Sequence, residues 1–130
     1  MPDYSAAVLD HFRRATGAGL LDPGQPRFGT ATVGTVKSGV KVVFQLGLSA
    51  DGRVDRVGWL AFGCPSTIAC CSWFAEALPG CDVATAEALL HDQVMQALAV
   101  ARDVRARVLV VEDAALAALR MADQESERTR

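Results

Sequence analysis

Residues 59 to 71 read Trp59-Leu60-Ala61-Phe62-Gly63-Cys64-Pro65-Ser66-Thr67-Ile68-Ala69-Cys70-Cys71, and they decide the fold. An apolar run reaches a glycine, a cysteine follows, and a proline opens a small-residue stretch that continues with helical spacing through Ser72-Trp73-Phe74-Ala75-Glu76-Ala77-Leu78. The pattern is strand, turn, helix. Proline suits the first helical position, where its missing N–H would have had no intrahelical partner, so Cys64 falls at or just before the helix start. Free backbone N–H groups and the positive end of the helix dipole favour thiolate over thiol there. Cys64 is therefore the leading candidate for a reactive or metal-ligating residue. The competing reading is a buried cysteine acting as a small hydrophobe.

Outward from this stretch, the upstream residues read as an antiparallel meander. Phe28 to Val36, Val40 to Leu48 and Arg53 to Phe62 are rich in Val, Thr and aromatic residues and are expected to be strands. Asp51-Gly52 supplies the positive backbone angles of a tight turn between the last two, and Val36-Lys37-Ser38-Gly39 joins the first two. This places the Ser38-Gly39 turn and the end of the third strand at one rim of the sheet. Ser38-Gly39 is equally well explained as an ordinary hairpin turn. Ahead of the strands, Ser5 to Arg14 is expected to be a docking helix capped by Asp3, with Val8, Leu9 and Phe12 apolar and His11 solvated or capping near its end. Thr16 to Gln25, with three glycines and Pro23, is a loop.

Downstream, the chain turns helical. After Pro65 the residues Ile68, Cys71, Ala75 and Leu78 form one stripe and Thr67, Cys70 and Phe74 the next, which makes Cys71 core and Cys70 partly accessible. Adjacent helical residues point about 100° apart, so Cys70 and Cys71 are poorly placed as a chelating or disulfide pair. Pro79-Gly80 ends this helix and leaves Cys81 in a loop as an incidental thiol. Asp82 or Thr85 caps a short helix to Leu90, and another opens at His91-Asp92, a pair that lacks an identifiable nucleophile or third group. From Val104 a single C-terminal helix is expected, with Leu109, Ala115, Leu116 and Leu119 inward. The domain is expected to span residues 1–122, and the charged tail, residues 123–130, to fray.

Composition bounds the function. A chain of 130 residues is one domain by length and buries roughly two thirds of its unfolded surface. With 51% hydrophobic and 22% charged residues and no apolar run near the roughly 18 residues of a membrane span, it is expected to work away from membranes. The N-terminus lacks a basic region followed by an apolar block, so no signal peptide is read. Four cysteines without a regular framework point to a reducing cytoplasm rather than to disulfide pairs. A net charge of −2 gives no general attraction to nucleic acid, although Arg102, Arg105 and Arg107 are concentrated locally.

These residues carry a family resemblance. Tyr4-Ser5 with Val8-Leu9-Asp10-His11-Phe12, then Gly29 and Val33-Gly34, then Phe62-Gly63-Cys64 with Ser66, Ile68 and Ala69, and finally Glu112-Asp113-Ala114 resemble the U-type iron-sulfur cluster assembly scaffolds, the family of bacterial IscU and the N-terminal domain of NifU. The resemblance implies an α+β fold, a three-stranded antiparallel sheet covered on one side by helices, with an N-terminal docking helix and a long C-terminal helix. It also implies three cysteine ligands at one rim, an aspartate beside the first and a histidine before the third. On this chain only the second cysteine is kept, as Cys64. The first falls on Ser38 and its aspartate on Val40, while the third falls on Arg107 and the histidine on Ala106. The family's chaperone-recognition segment falls on Val100 to Val104 and is absent. Serine is a hard, weak iron donor and arginine is no ligand at neutral pH.

Three readings are therefore open. The first is a divergent scaffold or carrier that shares iron or a [2Fe-2S] cluster between Cys64, with Cys70 as an auxiliary thiol, and a partner or second subunit. The second is a metal-free interaction protein on a scaffold fold, whose monomer binds no cluster. The third is an acceptor of sulfur or an acyl group at Cys64, the only reading that would make the chain an enzyme. The resemblance implies protein partners, a cysteine desulfurase or a client protein, allows a homo-oligomer, and involves neither nucleic acid nor membrane.

Overall fold

The computed structural model describes residues 4–90, 93–100 and 102–128, with the side chains of 126–128 set aside. Among the described residues three strands, β1 (Phe28–Thr35), β2 (Val40–Leu48) and β3 (Val54–Phe62), form one antiparallel sheet in the order β1-β2-β3. Alternation fixes its two faces. Val40, Val42, Phe44, Leu46 and Leu48 of β2 point into the core, joined by Val54 and Trp59 of β3. Lys41, Val43 and Gln45 point the other way, opposite Phe62, Leu60 and Gly58 in register. The register shifts between Gly47 and Leu48, so that Gly47 pairs with Arg56 but Leu48 with Val54. This bulge keeps both Val54 and Trp59 on the core side despite their odd separation.

Helices cover only the core face. α1 (Ala6–Arg14) packs on α2 (Pro65–Ala77), and α5 (Arg105–Arg128) runs across β1 and β2. Phe44 of β2 meets Phe74 of α2 edge to face, with ring centres 6.4 Å apart. α2 is buried nearly all round, including Ser66, Thr67, Ala69, Cys70, Cys71, Ser72, Phe74 and Ala75, because it lies between the sheet, α1 and α5. α3 (Val83–Leu89), α4 (Gln93–Ala97) and one 3-10 turn, Arg102–Val104, lead into α5. Helix and sheet approach closely at Gly29, where a Cβ would stand 1.9 Å from the Ala118 carbonyl oxygen. Only glycine fits there.

The other face is covered at one end alone. The loop after α1 donates the Gly19 N–H to the Trp59 carbonyl (2.8 Å) and the Leu21 N–H to Gln45 Oε1 (2.7 Å). Gly58 lets Leu21 and the Gly19 carbonyl lie against the sheet. Beyond Trp59, towards Phe62, that cover is gone.

Several expectations are corrected. Ser5, not Asp3, caps α1, by accepting from the Val8 N–H at 3.1 Å; Asp3 itself lies outside the described residues, as do His91 and Asp92. His11 is not solvated: it is 8% exposed, held by the Ser72 hydroxyl at 3.0 Å. Cys70 is 0% exposed rather than partly accessible, because both stripes of α2 are covered. Leu109 faces outward at 48% exposure, since the inward stripe of α5 runs Val108, Val111, Ala115, Ala118, Ala122, one residue out of phase with it.

Candidate functional site

Cys64 is the N-cap of α2, with extended backbone angles (φ −79°, ψ 170°) and Pro65 opening the helix. The β3-α2 junction aims its sulfur at the first turn: Sγ lies 3.7 Å from the Thr67 hydroxyl. Gly63 makes the approach possible, since a Cβ there would come within 2.7 Å of that hydroxyl and 2.9 Å of Thr67 Cβ. Thr67 cannot yield easily, being β-branched and buried in the helix.

The electrostatics of the half-buried sulfur are a contest. Burial pushes the thiol up, but hydrogen bonding from the Thr67 N–H, the Thr67 hydroxyl, the Arg107 guanidinium and the Ser66 N–H outweighs it, and the net position is below the ordinary thiol value. Arg107, at the start of α5, is the charged group among these favourable influences. Deeper in, burial pushes Cys70 strongly up, and the charges of Glu112 and Cys64 push it further. Burial likewise raises Cys71. One sulfur at this rim is chemically available, and the buried ones stay protonated.

Ser38 sits in the β1-β2 turn at the same end of the sheet as Phe62, but its exposed side chain closes the turn by donating to the Thr35 carbonyl at 2.8 Å. The remaining described thiol, Cys81, is half-buried and donates to the Ala77 carbonyl at 3.4 Å. Among the described residues no three His, Cys, Asp or Glu side chains are grouped to hold a metal ion. Sequence reasoning missed Thr67, whose signal is the serine or threonine three residues into a helix that begins at a cysteine. It also missed the burial of Glu112 behind Cys70.

The structure defines a one-sided α+β domain with a half-buried cysteine at a strand-helix junction. The particular family follows from comparison with known proteins. Residues 3–128 match the model of the NifU-like N terminal domain. The chain is 30% identical over 117 residues to the iron-sulfur cluster assembly scaffold protein IscU of Azotobacter vinelandii, covering 90% of this chain and 91% of that protein. It is 29% identical over 118 residues to the mitochondrial iron sulfur cluster assembly protein 1 of Eremothecium gossypii, covering 90% and 77%. In fold it resembles the N-terminal part of a NifU-like protein from Brucella abortus, with a TM-score of 0.69 at 20% identity over 92% of this chain and 93% of that one. The chain belongs to the NifU-like N-terminal domain family, which includes iron-sulfur cluster assembly scaffolds. No helix among the described residues is long and apolar enough to cross a membrane.

Proposed function

We propose that this chain acts in iron-sulfur cluster assembly or delivery as a divergent scaffold-type member that works through partner binding rather than by building a cluster alone. The observation that carries the reading is that Cys64, at the N-cap of α2, is half-buried while Cys70 and Cys71 are sealed in the core. Arg107 falls where the resemblance places a thiolate, so the rim offers one soft donor and, in place of a second, a cation that favours its ionised form. A two-iron cluster takes four ligands, and the buried, protonated Cys70 is a poor second one. Iron or a [2Fe-2S] cluster is cargo for which Cys64 supplies one ligand and a cysteine desulfurase, a client or a second subunit the others. Arg107 sustains the thiolate between encounters. A cytoplasm that keeps all four cysteines free suits this role.

The depressed Cys64 thiol favours a second reading, an acceptor of sulfur or acyl groups, and the same experiment separates the two. The chain is purified anaerobically, incubated with iron and a sulfur source, and fractionated by size before iron, sulfide and visible absorption are measured. The expected result is no chelator-resistant cluster on the monomer. Should colour appear on a dimer, Cys64→Ser removes it and Cys81→Ser leaves it. A stoichiometric, stable cluster on the monomer overturns the proposal. With a persulfide donor as the sulfur source, transfer of its outer sulfur to the Cys64 thiolate releases the donor as its own thiol, and that adduct on Cys64 without iron, seen as a mass increase, favours the acceptor.

A further inference from the structure

Among the described residues, nothing hydrogen-bonds to the edge of β3 at its end nearest Cys64. Hydrogen bonding in the sheet alternates, and the Trp59 carbonyl faces outward to receive Gly19, so the N–H and C=O of Ala61, two residues on, face outward as well. Earlier along the same edge the backbone is closed: Val54 bonds with Gly80 and Cys81 at 2.7 and 2.9 Å, and the loop bridges Trp59. At Ala61 no hydrogen bond among the described residues reaches the strand from that side. Beside it on the open face lies a shallow depression of about 270 Å³ lined by Lys41, Val43, Leu60, Ala61 and Phe62. Leu60 and Phe62 are 47% and 51% exposed. Natural sheets blunt such edges with charge, proline or a covering segment, and this stretch has none of them.

Charge says what would sit there. The sequence has no Asp or Glu from Phe28 to Ala50 or from Arg56 to Ala75, although the chain as a whole holds 15 acidic residues against 13 basic ones. Within those spans the cations are Lys37 in the turn, Lys41 in the depression and Arg56. We propose that the Leu60–Phe62 end of β3 accepts an extended segment of a partner protein as a fourth strand, a segment in which apolar residues alternate with carboxylates. Its backbone bonds Ala61, its apolar side chains seat on Leu60, Phe62 and Val43, and its carboxylates meet Lys41 and Lys37. Strand addition of this kind takes affinity from main-chain hydrogen bonds and selectivity from pockets for alternate side chains. The inference goes beyond the proposed function and holds whether or not the chain handles iron.

The test uses the full chain and fluorescein-labelled peptides in which valine alternates with glutamate or with lysine, read by anisotropy. The Val-Glu peptide is expected to bind saturably and the Val-Lys peptide about tenfold or more weaker. Phe62→Asp should abolish binding, and Lys41→Glu, on an exposed position that leaves the core intact, should reverse the preference between peptides. N-methylating alternate residues of the Val-Glu peptide should prevent binding in one of the two registers and spare the other. No saturable binding, or binding indifferent to peptide charge and to both methylation patterns, overturns the proposal. So does a concentration-dependent dimer that Phe62→Asp converts to monomer, because the edge is then occupied by a second copy.

Discussion

A Cβ on residue 63 would overlap Thr67, so Gly63→Ala has to push the first turn of α2 away from the sulfur of Cys64. Thr67, through its N–H and its hydroxyl, supplies the leading influences that lower the Cys64 pKa, while burial persists and still opposes the charge. The expected outcome is a rise in the Cys64 titration midpoint, measured from the pH dependence of alkylation followed residue by residue in the mass spectrometer. Arg107→Ala should move it in the same direction with the fold unchanged, since Arg107 is exposed. Each pH unit of rise cuts the thiolate fraction at neutral pH by up to about tenfold, so the native alkylation rate is a sensitive gauge. A midpoint indifferent to both substitutions would reduce Cys64 to a packing residue. Cys64 was legible because a Gly-Cys-Pro turn announces a helix start in the chain's own order. Arg107 came from the resemblance alone, for nothing local in Arg105-Ala106-Arg107 says which distant sulfur it meets.

α1 is docked on α2 through a polar knot. The Ser72 hydroxyl accepts the Thr16 N–H at 3.1 Å and meets His11 Nδ1, and Arg14 Nη2 lies 3.3 and 3.0 Å from the two ring nitrogens of His11. Arg14 also pairs with Glu76 at 3.0 Å and with Asp10. Burial lowers the His11 pKa first and Arg14 lowers it further, only partly offset by Glu76 and Asp10. The folded state therefore binds fewer protons at His11 than the unfolded chain does. Stability from this site is full above the unfolded value of about 6.5 and falls as pH drops through it towards the lower folded value. Urea midpoints measured from neutral to mildly acid pH should decline, and His11→Gln, which keeps a partner for Ser72, should flatten that decline. A second element-scale contact is stricter. Gly29→Ala forces β1 off α5 at Ala118 and should cost about 1–3 kcal/mol or more, read as a lowered thermal midpoint. At this scale β2 was legible to the residue, because strand alternation and flanking turns agree. His11 and Cys70 were misjudged because periodicity gives one buried stripe per helix, whereas α2 is enclosed from several sides and lends its enclosure to whatever α1 lays against it. Leu109 failed for a narrower reason: among the β-branched neighbours Val108, Val110 and Val111, hydropathy alone does not set the phase of the stripe.

At the scale of the whole molecule, the acids absent from residues 28–50 and 56–75 lie elsewhere: Asp51 in the far hairpin, Asp55 at the start of β3, and the rest of the described ones on the loops and helices. Asp51 and Asp55 sit against Arg53 and Arg56, whereas no acid lies in the span that supplies Lys37 and Lys41, so a body with a net charge of −2 still offers cations at the Ser38-Phe62 end of the sheet. Such a body turns as it diffuses, presenting the thiolate end first to any negative surface. At low salt it should cling to a cation-exchange resin that its overall charge says it ought to ignore. Retention should shrink as the Debye length falls from about 30 Å at 0.01 M to about 10 Å at 0.1 M, and Lys37→Glu combined with Lys41→Glu should abolish it. Elution volumes of the two proteins on the same column measure this, and equal retention would show these cations to be too weak to orient anything. Collision, for this chain, is then not isotropic: the molecule meets its counterpart already facing it.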